Sequence, residues 1–191
     1  MVNSIRHRLT LLAPLFTAVS VFANQNIYVD SALSSGWENW SWGTDINFAA
    51  TDAVSSGSSS LSATSSAYTA LSLYDETAFG NTYAGIKFDL AIADPSQIQF
   101  TMESTSEGIS SPWFALSAIP GAANATATKF ATLLLDFNSL PPNGSPLAKA
   151  AWNRISFQAL GNGATVSGCF DIVLRTLISL TIIAGSTIWT T

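Results

Sequence analysis

The chain has 191 residues but one histidine, one cysteine and few charges, with Asp, Glu, Lys and Arg making up 10% of it. The histidine, His7, lies in the opening segment MVNSIRHRLTLLAPLFTAVSVFANQ. There Arg6, His7 and Arg8 precede an apolar run from Leu9 to Phe22, and Val21-Phe22-Ala23 supplies small residues at −3 and −1 of a cleavage site. That pattern predicts a secretory signal peptide over residues 1–23 and a mature chain starting at Asn24. The run is short for a membrane span and is interrupted by Pro14, so no span is expected.

Without His7 the mature chain cannot build a Ser-His-Asp or Cys-His site, nor a histidine-based zinc, copper or iron site. Carboxylates remain as the main catalytic groups. Five basic residues (Lys87, Lys129, Lys149, Arg154 and Arg175) then face twelve acids, for a net charge of −7. An acidic chain without a basic cluster is a poor partner for nucleic acid.

What is present is short alternating segments divided by Ser, Gly, Asn and Pro. NIYVD (26–30), TDINF (44–48), SSLSATS (59–65), YTALSLY (68–74), YAGIKFDL (83–90), QIQFTME (97–103), WFALSAI (113–119), FATLLLDF (130–137) and WNRISFQAL (152–160) read as strands. Nine short strands at fairly even spacing predict an all-β, antiparallel β-sandwich of jelly-roll type spanning residues 24–165. Alternation puts Ile86, Phe88 and Leu90, Ile98, Phe100 and Met102, and Ile155, Phe157 and Ala159 on the core side. Gln97, Gln99 and Arg154 fall on the opposite side, which is either plainly solvated or a platform for hydroxyl-rich ligands.

Half of the six tryptophans stand in GWENWSWG, as Trp37, Trp40 and Trp42. In a strand Trp40 and Trp42 share a side and Trp37 lies opposite. The expectation is a split, with one ring plugging the sandwich end and another exposed. Flat rings stack on the C–H face of a pyranose, so Trp40, Trp42, Tyr68, Tyr74 and Trp152 are the candidate sugar-contacting aromatics, while core or rim packing is the competing role for each. Asn39, Asn124 and Asn143 head glycosylation sequons. Glycoside hydrolysis needs two carboxylates about 5–10 Å apart, and no spacing here pairs Asp89, Glu103, Asp136 or Asp75-Glu76.

The words IYVDSALSSGWENWSWG, VSSGSSSLSAT, YTALSLY and AWNRISFQALGNGAT resemble secreted β-sandwich modules of fungi and bacteria, akin to the galactose-binding-like, jelly-roll carbohydrate-binding modules associated with glycoside hydrolases. The resemblance covers about residues 27–165. It implies a secreted, monomeric, non-catalytic module that recognises a cell-wall polysaccharide. An interaction or cell-wall protein without a glycan ligand is the alternative, and a carboxylate-dependent hydrolase or lyase the third. It also implies a structural calcium ion, with Asp30, Gly57 and Ser59 at the matching positions, together with an acid from a closing strand that reads like Tyr-Leu-Asp-Asp.

Residues 166–191 break the style, with the lone Cys169 and an apolar run from Leu177 to Ala184. A translated intron accounts for them. Val166-Ser167 is encodable as a splice donor, Leu180-Thr181 as a branch point and Ser186 as an acceptor. The codons after that acceptor, read one frame over, give Tyr-Tyr-Leu-Asp-Asp. On this reading the chain as written lacks its last strand and leaves a gap in one sheet. Sequencing of cDNA is expected to show the segment removed from the main transcript, and abundant retention overturns that expectation.

Overall fold

The computed structural model describes residues 24–77, 79–80, 82–137, 151–161 and 166–175. The expected signal peptide, Asn143 and residues 176–191 lie outside the described residues. The strands, in chain order, begin with β1 (Gln25–Asn26), β2 (Tyr28–Val29), β3 (Ala32–Leu33), β4 (Trp37–Asn39) and β5 (Asp45–Ala50). They continue with β6 (Ser60–Ser65), β7 (Ala70–Asp75), β8 (Gly85–Ile92), β9 (Ile98–Ser104) and β10 (Ile109–Ser110). The last four are β11 (Phe114–Ala115), β12 (Ala131–Asp136), β13 (Arg154–Ala159) and β14 (Val166–Arg175).

The strand pairings are antiparallel and make two six-stranded sheets and a small sheet of β2 and β3. The first runs β12-β8-β14-β6-β5, with β1 added to β14, and the second runs β10-β9-β13-β7-β4, with β11 added to β9. The β-sandwich expected from alternation is therefore the observed fold.

The sheets meet through phenylalanine. Phe88 and Phe170 from the first sheet face Phe100 and Phe157 from the second, and all four are buried. Ring centroids lie 5.5 Å apart for Phe88–Phe157, 5.1 Å for Phe100–Phe157 and 5.0 Å for Phe157–Phe170. Edge-on and tilted contacts of this kind add to the area term because ring edges and faces carry opposite partial charge.

Two expectations are corrected. The last-strand position is not empty: β14 lies between β8 and β6, with Phe170 opposite Leu90 and Leu61. The stretch VSGCFDIVLR meets the period of a strand, since Gly168, Phe170 and Ile172 are buried and face the core while Cys169 between them is half-buried. The stretch 113–119 is a strand only at Phe114–Ala115, and Leu116–Ala118 forms a 3-10 turn. Leu116 is fully buried within that turn, so an apolar run that reads as strand is satisfied by one anchor.

On the outer side of the first sheet, Asp89 is buried and accepts hydrogen bonds from Ser55 Oγ (3.0 Å), Lys87 Nζ (3.2 Å) and Thr132 Oγ1. Burial opposes its ionisation, but the Thr132, Lys87 and Ser55 bonds outweigh burial and hold the carboxyl below its ordinary value. A depressed folded pKa contributes stability above the unfolded value of about 3.9 that is lost as pH falls through the folded one. In urea unfolding, wild type is expected to exceed Asp89→Asn at pH 7 and to lose that advantage as pH drops below about 4. An advantage constant with pH would rule this out. Phe157→Ala should lower stability by about 3–5 kcal/mol in the same measurement, through the cavity left between the sheets.

Candidate carbohydrate-binding platform

The inward set of β13, Ile155, Phe157 and Ala159, sends Arg154, Ser156 and Gln158 to the outer face of the second sheet. Strand register then aligns outward residues in rows across the strands. One row is Glu38–Tyr74–Arg154–Glu103, and the next is Ser72–Ser156–Thr101. A third is Trp42–Ala70–Gln158–Gln99. Trp40 joins the middle row by donating its backbone N–H to the Ser72 carbonyl at 2.9 Å. Ser72, Ser156 and Thr101 are fully buried beneath their larger neighbours.

The aromatic end of this face is assembled around one cation. Trp40 stacks on Tyr74 with centroids 3.9 Å apart and planes 18° from parallel. The Arg154 guanidinium lies 5.6 Å from the centre of the Trp40 ring and 5.4 Å from that of Trp42, within cation–π range of both. Arg154 Nη1 also donates to Glu103 Oε2 at 2.9 Å, and Nε donates to Ser72 Oγ at 2.7 Å. The indole N–H groups are held as well, that of Trp40 by Glu38 Oε2 (2.8 Å) and that of Trp42 by the Tyr68 carbonyl (2.9 Å). Trp40 keeps 41% of its surface exposed, whereas Trp37 is 6% exposed and stacks on Phe79 inside the sandwich end.

Tyr68 borders the same face. It is 64% exposed and adopts φ +63°, a region that costs energy for a residue with a side chain. In this conformation its carbonyl receives both the Trp42 indole and Gln158 Nε2 (3.1 Å). Gln99 Nε2 donates to Gln158 Oε1 at 2.8 Å, which extends the network toward β9. Gln97 is turned away, with its amide donating to Asp94 Oδ2 and Ser96 Oγ at 3.3 Å each.

Trp152 is not on the platform: it is 3% exposed and belongs to the core. Alternation from β13 holds back to Asn153, which is buried on the core side, and fails at Trp152, which is buried as well. The Asn153 side chain accepts from the Thr105 N–H (2.9 Å) and donates to Thr105 Oγ1 (2.8 Å), while its backbone bonds Glu103 and Asp75. Glu103, Glu38 and Ser72 are the site residues that sequence reasoning left out. Alternation with Gln99 already puts Glu103 on this face, but its pairing with Arg154 depends on register.

Asn39 and Asn124 are exposed. Asn39 pairs with Leu73, between the platform residues Glu38 and Trp40, so its side chain leaves the strand on the other side. Among the carboxylates considered for hydrolysis, Asp89 and Asp136 are on the first sheet and Glu103 is on the outer face of the second. The architecture does not bring Glu103 beside either of the others.

The proposed calcium positions do converge. Asp30 Oδ1 accepts from Ser58 N (2.6 Å), Ser58 Oγ (3.1 Å) and Ser59 N (3.1 Å), which hold the Asp30 carboxyl below its ordinary value. Gly57 has φ +72°, and a Cβ there would come within 2.5 Å of Asp30 Oδ1. These contacts turn N–H and O–H donors toward the carboxylate, whereas calcium requires oxygen lone pairs from several ligands. Among the described residues no group of three or more His, Cys, Asp or Glu is placed to hold a metal. In this arrangement the three residues do not fit the ion; they pin the Ser55–Ser60 loop to the β2–β3 turn.

No family model and no curated protein matches the chain. Solved structures do. A family 29 carbohydrate-binding module complexed with mannohexaose aligns at TM-score 0.52 and 16% identity, over 80% of this chain and 90% of that one. The same family's module complexed with cellulohexaose aligns at 0.51 and 16%, over 80% and 89%. An arginine-to-alanine variant, made to probe ligand recognition, aligns at 0.52 and 15%, over 81% and 93%. This chain thus has the β-sandwich fold of the family 29 carbohydrate-binding modules.

Proposed function

We propose that the chain is a secreted, non-catalytic module that binds a cell-wall polysaccharide on the outer face of its second sheet. The observation that carries the reading is the grouping of Trp40, Trp42, Tyr74, Arg154 and Glu103 on one partly exposed sheet face. A pyranose has an apolar C–H face and a rim of hydroxyls. The aromatic rings suit the first, and the carboxylate, guanidinium and glutamine amides suit the second. Modules of the same fold bind mannohexaose and cellulohexaose, which supports a linear hexose polymer as the ligand class.

One observation favours the second reading, a secreted interaction protein without a glycan. The Trp40 ring is stacked on Tyr74 and has Arg154 beside it, so part of its surface already serves the protein. Retention on cellulose, chitin, β-1,3-glucan, xylan and mannan separates the two. The platform reading expects retention on at least one, competed by the matching hexasaccharide. Trp40→Ala and Arg154→Ala are each expected to weaken it about tenfold or more, or about 1.4 kcal/mol, in proteins whose circular dichroism is unchanged. Retention on none, or retention indifferent to both variants, removes the platform reading.

A further inference from the structure

The platform leaves unexplained a cavity of about 230 Å³ lined by Gln25, Gly36, Asp75, Thr77, Phe79 and Tyr83 among others. Asp75 follows Tyr74 on β7 and therefore points away from the platform. It is more than nine-tenths buried, and its Oδ1 accepts from the Thr77 N–H at 2.7 Å. Its Oδ2 faces Gly36. A Cβ on Gly36 would make ordinary contact with it at 3.4 Å; the loop before β4 needs glycine there for its φ of +93°. Asp75 lines the cavity, so Oδ2 is an acceptor open to a ligand. Burial pushes the Asp75 carboxyl up against hydrogen bonds from the Thr77 backbone and side chain, with the Glu76 charge a smaller cause in the upward direction.

The other walls carry complementary groups. Tyr83 donates its hydroxyl to Gln25 Oε1 at 3.0 Å, which orients that amide and leaves its NH₂ as a donor. Phe79 supplies an apolar wall and is backed by Trp37 at a centroid distance of 5.7 Å. The cavity thus offers an acceptor, a donor and a small apolar wall in a volume below the roughly 300–1,000 Å³ of sites for drug-sized ligands. An anion is disfavoured by the carboxylate, and one carboxylate is too few for a hard cation. A single sugar ring, with hydroxyls to donate and a C–H face, matches all three features.

We infer that the Asp75 cavity is a second binding site, separate from the platform, that takes one terminal sugar residue with its hydroxyls donating to Asp75 Oδ2. The inference rests on the proposed function only for the chemical class of ligand. It is tested by ¹⁵N–¹H spectra of the chain titrated with glucose, mannose and galactose to about 50 mM, beyond the millimolar affinity expected for so small a ligand. At least one sugar is expected to shift the Thr77, Phe79 and Tyr83 amides saturably in wild type and in Trp40→Ala. Asp75→Asn keeps the acceptor for Thr77 and is expected to weaken the shifts at least tenfold. Ser35→Phe, at an exposed position on the cavity wall, is expected to abolish them while the rest of the spectrum stays folded.

Absence of saturable shifts at these amides with all three sugars overturns the inference. So does a response to ethanolamine alone, which would make the occupant an amine. Pocket shifts in a protein that no polysaccharide retains would uphold this site while removing the platform reading.

Discussion

The packing of Phe88 and Phe170 against Phe100 and Phe157 fixes everything displayed on the surface. Once Phe157 is committed to the space between the sheets, Arg154, Ser156 and Gln158 must face outward, because successive side chains on a strand alternate. Phe100 does the same for Gln99, Thr101 and Glu103. The row Glu38–Tyr74–Arg154–Glu103 follows from antiparallel register. A slip of one residue would bring Arg154 and Glu103 into the core and turn the phenylalanines to water.

Arg154 links the two halves of the face. Its ion pair with Glu103 is partly exposed, with side chains 19% and 24% accessible, and contributes on the order of 0–1 kcal/mol. Its proximity to two indoles adds about 0.5–1 kcal/mol per ring at such exposure. The larger effect is order: Ser72, Glu103, Trp40 and Trp42 all lose freedom through one planar group whose geometry lysine cannot copy. Rings fixed beforehand lose less entropy when a ligand arrives.

Much of this was legible in the sequence wherever a period was clean. Alternation separated Trp37 from Trp40 and Trp42, and it put Gln99 and Arg154 on the polar side. It failed at Trp152 because regular alternation begins only at Arg154 and the ring before it turns back into the core, which only tertiary contact reveals. It failed at residues 116–118 because a single buried leucine satisfies an apolar run without a strand. The convergence of Asp30, Gly57 and Ser59 was also foreseeable, but not that the loop presents N–H groups to the carboxylate. The closing-strand position expected to be empty is filled by residues 166–175, because an alternation inside an unusual composition seats Phe170 and Ile172 in the core.

The rows of the platform run across the strands, and neighbouring strands lie about 4.8 Å apart, a distance of the same order as one pyranose unit along an extended chain. A polymer laid along a row would therefore meet one strand per sugar, and each sugar would meet a different group, Glu38, Tyr74, Arg154 or Glu103 in the first row. Such a face would act less like a toothed rail than like a keyed ruler, on which a repetitive filament displaced by one unit would find every contact changed.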